Sequence, residues 1–124
     1  MKQLLVALLM VSAFGGSAAH AARGEEHALI AYMRVKPGTQ KTFLKAAEAV
    51  IEASRSERGN LIYELHQSVV DPQQFVFYEL FKSNADLQYH RNARHTKSFL
   101  RETAPIVMEN GFVLQEYKLK SDRE

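Results

Sequence analysis

The stretch ERGNLIYELHQSVVDPQQFVFYELFKSNADLQYHRNARHTKSF, residues 57–99, decides the fold. Residues 61–68 alternate, with Leu61, Tyr63 and Leu65 facing one way and Ile62, Glu64 and His66 the other. Val70-Asp71-Pro72-Gln73 reads as a turn, with Pro where its fixed φ suits one. Residues 74–81 form a second strand that places Phe75, Phe77, Glu79 and Phe81 on one face. Two strands joined by so short a loop make an antiparallel hairpin. Ser83 then opens a helix, with Asp86 placed as in a capping box. That helix carries Leu87 and His90 on one side, with Arg91 and Arg94 beside them. A looser helical turn over residues 95–103 places Phe99 one turn after His95.

Upstream, HALIAYMRV at residues 27–35 has Leu29, Ala31, Met33 and Val35 on one face and Ala28, Ile30 and Tyr32 on the other. A strand apolar on both faces is covered on both. Lys36-Pro37-Gly38 is a turn in which Gly38 accepts positive φ. Thr39 is placed to cap a helix running to about Ser56, whose apolar positions Phe43, Leu44, Ala47, Val50 and Ile51 recur at helical spacing. Gly59 suits a left-handed position after that helix. Pro105 and Gly111 punctuate the approach to a last strand over residues 112–119. The order β-α-β-β-α-β predicts a ferredoxin-like α+β domain, an antiparallel sheet with helices on one face. The other sheet face is also apolar on most strands, which predicts a homodimer with sheets packed face to face.

At the N-terminus, Lys2 precedes an apolar run over residues 4–14, a Gly15-Gly16-Ser17 break and Ala19-His20-Ala21. This is the layout of a secretory signal peptide, too short to span a bilayer comfortably. Cleavage is expected after Ala21. Residues 22–124 are then one domain, with its core over about 27–119, exported to a periplasmic or extracellular space without stable membrane insertion. The absence of cysteine excludes a disulfide framework and thiolate metal sites. A formal charge of +2, part of it from Lys2, gives no support for a nucleic-acid partner. No Walker loop, GxGxxG or HExxH motif occurs.

Several polar residues have both a chemical and a structural reading. His90 shares a face with Leu87, so it points towards the sheet, as a proton acceptor or as a hydrogen-bonded core histidine. His95 lies about 500° further round a regular helix, so the two histidines make a poor metal pair, and no metal is expected. Asn60 opens the second strand, where its amide either binds a substrate oxygen or satisfies turn backbone. Tyr63 directs its phenol into a pocket or to a core partner. Glu79, among Phe75, Phe77 and Phe81, must be paired or have its pKa raised. It would act as a proton acceptor or orient His90; otherwise it pairs with an arginine such as Arg34 or lies in a dimer contact. Arg91, Arg94, Lys97 and Arg101 form a basic helix surface.

The series Glu57-Arg58-Gly59-Asn60-Leu61-x-Tyr63-x-Leu65, Asp71-Pro72-x-x-Phe75, Tyr78-Glu79-x-Phe81, His90 and His95-x-x-x-Phe99 resembles the antibiotic biosynthesis monooxygenase family. The resemblance covers about residues 28–117 and implies a dimeric α+β barrel. It further implies an oxygenase acting on a quinol or related phenol with dioxygen, without flavin, haem or metal. His90 would be the base, Asn60 and Tyr63 would hold ring oxygens, and Glu79, Phe77, Phe81, His95 and Phe99 would line the substrate site. Many relatives have Trp where this chain has Phe81, and the chain contains no Trp, which weakens a haem-degrading reading. A non-oxidative binding protein or isomerase on the same scaffold is the alternative, with His90 and Glu79 as base and acid.

Overall fold

A computed structural model describes residues 25–121. The expected leader over residues 1–21 lies outside the described residues. The elements are β1 (His27–Val35), α1 (Gln40–Arg55), β2 (Asn60–Gln67), β3 (Gln74–Phe81), α2 (Asn84–Asn92), α3 (Arg94–Thr103) and β4 (Val107–Lys118). All strand pairings are antiparallel and the sheet order is β2-β3-β1-β4, the ferredoxin-like arrangement expected from the element order. No helix among the described residues is long and apolar enough to cross a membrane.

The period-2 pattern of the strands translates directly into burial. Leu29, Ala31, Met33 and Val35 of β1 and Phe75, Phe77, Glu79 and Phe81 of β3 are all buried. Phe43, Ala47 and Val50 from α1 and Phe99 from α3 close over this face in one core with Ala31, Met33, Val35, Tyr63, Phe75 and Phe77. At its centre the Phe43 ring lies 4.5 Å from Phe75 and 5.7 Å from Phe99, and Phe77 lies 5.6 Å from Phe99. Such tilted and edge-on contacts add to the area each ring buries. On the outer face Tyr32, Val113 and Tyr117 are exposed.

Four local expectations are corrected. Thr39 does not cap α1 through its side chain; its hydroxyl donates instead to the Lys36 carbonyl at 2.6 Å. Gly38 does have φ 80°, but Gly59 is not left-handed. What Gly59 supplies is close approach, because a Cβ there would lie 2.1 Å from Asp86 Cγ. The last strand starts at Val107 rather than Phe112 and runs through Gly111. Met33 pairs with Phe112 but Val35 with Val107, so residues 108–111 bulge from the ladder, with Asn110 at φ 57°. A Cβ on Gly111 would meet the Arg34 carbonyl oxygen at 2.7 Å. Finally, the second helical segment is two helices, broken at Ala93, whose ψ of 145° is extended.

That break matters for the site. Ser83 caps α2 as expected, accepting from the Asp86 amide and donating to its carboxylate at 2.8 Å. Leu87 and His90 then face the sheet, both buried. The extended residue at Ala93 turns the chain so that α3 restarts with His95 back towards His90. The ring centroids are 6.0 Å apart. The regular-helix geometry that separates the two histidines does not apply.

Candidate active site

His90 lies between two carboxylates. Its Nδ1 lies 2.9 Å from Glu57 Oε1 and 2.8 Å from Oε2, the placement of an Nδ1–H shared by the two carboxylate oxygens. Its Nε2 is 3.4 Å from Glu79 Oε2. The three side chains are only 2 to 4% exposed. Glu57 arrives from the turn after α1, where its amide bonds to the Ser54 carbonyl and its carbonyl accepts from the Asn60 amide. Glu79 arrives from the core face of β3, opposite Tyr63 in the ladder. Phe81 packs on the imidazole at 5.0 Å and Tyr63 at 5.3 Å, both tilted to it, so the ring is held by aromatic contacts from β3 and β2.

Burial sets the protonation of this cluster. It lowers the His90 pKa, against the opposing pull of Glu57, and raises that of Glu57. It pushes Glu79 up to about 8, with the Glu57 charge adding to the effect and Arg91 opposing it. It also holds Tyr63 as the neutral phenol by raising its pKa, and lowers that of His95. The physical reason is common to all: a dry site disfavours whichever form is charged. A neutral imidazole with Nδ1–H held by Glu57 has its lone pair on Nε2, next to a carboxyl group that retains its proton at neutral pH.

Nε2 and Glu79 border a cavity of about 70 Å³, lined also by Leu29, Ala31, Met33, Tyr63 and Phe99. Its outer wall is Leu100, Phe112 and Leu114, each 36 to 41% exposed, where β4 carries core-facing residues that the helices leave partly uncovered. A dry cavity that holds a benzene is about 150 Å³. An aromatic ring would therefore fill this cavity only in part and extend into its mouth. Of the basic series only Arg91 reaches this cavity, and it pairs with Glu116 at 2.5 Å. Arg94, Lys97 and Arg101 are exposed.

His90, Tyr63, Glu79 and Phe99 are thus brought together, and other expected site residues are not. Plain alternation sets Asn60 and Tyr63 on opposite faces, but Asn60 pairs with Phe81 and Ile62 with Leu80, so Leu61 is an extra residue. The bulge turns Asn60 to the core side. There its amide donates to the Ile62 and Leu80 carbonyls, at 2.9 and 3.3 Å, and it does not line the cavity. Phe77 belongs to the core, and Phe81 supports His90 from behind. Glu79 does not pair with Arg34, whose guanidinium binds Asp71. Nor is Glu79 on the outer face where a dimer contact would form. Glu64 and His66 are an exposed pair at 3.2 Å.

Glu57 is the site residue that sequence reasoning did not single out. It sits 33 positions from His90, and only its place in the motif series marked it. With His90 and His95 it forms the one group among the described residues whose ligand atoms, within 4.8 Å of one another, are suited to a metal ion. Ligands 2.0–2.1 Å from a tetrahedral ion lie roughly 3.3 Å apart; Glu57 Oε2 and His95 Nε2 are 3.4 Å apart, while His90 Nδ1 and Glu57 Oε2 are at the hydrogen-bond distance of 2.8 Å.

Comparison with known proteins agrees with this architecture. The profile of the antibiotic biosynthesis monooxygenase family matches residues 27–102. YcnE of Bacillus subtilis (strain 168), named as a candidate monooxygenase, is 35% identical over 72 residues, covering 58% of this chain and 76% of that protein. A solved structure from Nitrosomonas europaea, a candidate antibiotic biosynthesis monooxygenase, gives a TM-score of 0.73 at 28% identity, over 77% of this chain and 90% of that one. Rv0793 from Mycobacterium tuberculosis gives 0.74 at 19% identity, over 81% and 100%, a likeness of fold alone.

Proposed function

The chain belongs to the antibiotic biosynthesis monooxygenase family, and from that premise we propose that it oxidises a quinol or related electron-rich phenol with dioxygen. One observation carries the reading: a buried imidazole, its Nδ1 held by Glu57, offers Nε2 to an apolar cavity beside Glu79 and Tyr63. Dioxygen reacts slowly with closed-shell organic molecules, and a phenolate is a far better electron donor than a phenol. The site's task is to make and hold that anion away from water. His90 Nε2 takes the phenolic proton, and the neutral carboxyl of Glu79 and the Tyr63 hydroxyl donate to the ring oxygens. One oxygen atom then enters the ring and the other leaves as water, the quinol supplying the electrons. Leu29, Met33 and Phe99 exclude solvent and position the ring. The reading needs no resident metal or flavin, and the leader would place this chemistry outside the cytoplasm.

Oxygen uptake with a panel of quinols tests it. The intact protein should consume oxygen with at least one, and His90→Ala should lower the rate by about 10²–10⁴-fold, the usual worth of a positioned base. Uptake no faster than buffer on every quinol would contradict the proposal. The acid–base pairing of Glu79 and His90 also favours a second reading, a non-oxidative isomerase. Turnover of a ligand without oxygen consumption would select it. A cavity of about 70 Å³ leaves haem little room.

A further inference from the structure

We infer that Glu57 and His95 form a proton route behind His90, with Glu57 fixing the imidazole tautomer and His95 connecting its Nδ1 side to solvent. The catalytic use of this route rests on His90 being the base, as proposed above; the route itself does not.

The two nitrogens of His90 face different surroundings. Nε2 looks into the cavity, where Glu79 and Tyr63 are its polar neighbours. Nδ1 meets both oxygens of Glu57, which does not line the cavity, and lies 3.4 Å from the hydroxyl of Thr96, which does. Neither His90 nor Glu57 has appreciable contact with water. Glu57 Oε2 is also 3.4 Å from His95 Nε2. That nitrogen is buried with no hydrogen-bond partner, although the His95 side chain is 25% exposed. An imidazole with one buried, unsatisfied nitrogen 3.4 Å from a carboxylate, in a side chain that is otherwise partly exposed, is an unfavourable structural element. It is a suitable proton carrier, because imidazole accepts on one nitrogen while releasing from the other.

The protons balance over a cycle. The substrate O–H bond breaks as Nε2–H forms. Nδ1–H passes its proton to a Glu57 oxygen, which passes it to His95 Nε2, and His95 releases its Nδ1 proton to water. When the leaving oxygen takes the Nε2 proton, the same path runs inward and restores Nδ1–H. The charged and titratable groups around this path are Glu57 from the α1–β2 turn, Tyr63 from β2, Glu79 from β3, Asp86 and Arg91 from α2 and His95 from α3.

The test needs no substrate. In ¹⁵N-histidine-labelled protein, His90 should show the nitrogen shifts of the Nδ1–H tautomer. Exchange of that proton with water should slow by about tenfold or more in His95→Ala and in His95→Asn, which cannot titrate. Added imidazole should restore it in His95→Ala. Glu57→Gln should change the tautomer population. Unchanged exchange in both His95 variants, or an Nε2–H tautomer in the unmodified protein, would overturn the proposal. So would stoichiometric zinc binding that shifts both histidines and is lost in His95→Ala, since the cluster would then be a metal site. A protein that consumes no oxygen would leave this result standing, and unchanged exchange would leave the oxygenase reading standing.

Discussion

At Glu79 the chemistry of the site has a thermodynamic signature. Burial keeps its proton on to about pH 8 in the folded chain, whereas the ordinary value is 4.5. A group whose pKa is raised by folding contributes stability that is complete below the unfolded value and is lost as pH rises through the folded one. Glu79→Gln should therefore leave Tm nearly unchanged at pH 4 and raise it at pH 9. Several degrees is the expected scale, since about 1 kcal/mol moves Tm by 4–8 °C in a domain of this size. Thermal melts across that range check the sign, and an advantage that grew towards acid would contradict it. Glu79 was legible from sequence as a carboxylate among phenylalanines, because strand period alone places it on the apolar face. Its partner was not. The choice among Arg34, an interface and His90 depended on where the helices cross the sheet, and Arg34 turned out to serve Asp71 in the β2–β3 turn.

At the scale of elements, two small irregularities build the site. The break at Ala93 returns His95 to His90, and Gly59 lets the turn carrying Glu57 lie against the start of α2. Gly59→Ala should destabilise by about 1–3 kcal/mol, as overpacking does, and should lower activity more than that loss explains, because Glu57 moves with the turn. Urea unfolding with oxygen uptake measures both. Ala93 heads α3 without a side-chain cap. Ala93→Ser should stabilise by about 0.5–1 kcal/mol with activity unchanged, and a loss of stability would contradict this. The strands and long helices were readable because their periods are strong. The break was not, since RNARH contains neither Gly nor Pro and nothing local ends the helix there. The Leu61 bulge was equally silent, because inserting one residue into a ladder leaves no mark on the alternation around it.

For the molecule as a whole, the core and the site share one sheet face, so Phe77→Ala should cost about 3–5 kcal/mol while also loosening the contact beside Tyr63. The outer face, with Tyr32, Val113 and Tyr117 exposed, predicts a homodimer at micromolar concentration that Tyr32→Glu dissociates. Sedimentation of the unmodified chain as monomer alone would refute it. Quinol oxidation of the kind proposed requires the folded domain to ionise a phenol. Anaerobic titration with a phenol whose phenolate absorbs at a distinct wavelength reads this directly, at a pH below the phenol's own pKa. The phenolate band should appear on binding to the intact protein and be absent with His90→Ala. A ligand that binds as the neutral phenol, or that ionises equally well without the imidazole, would contradict the account.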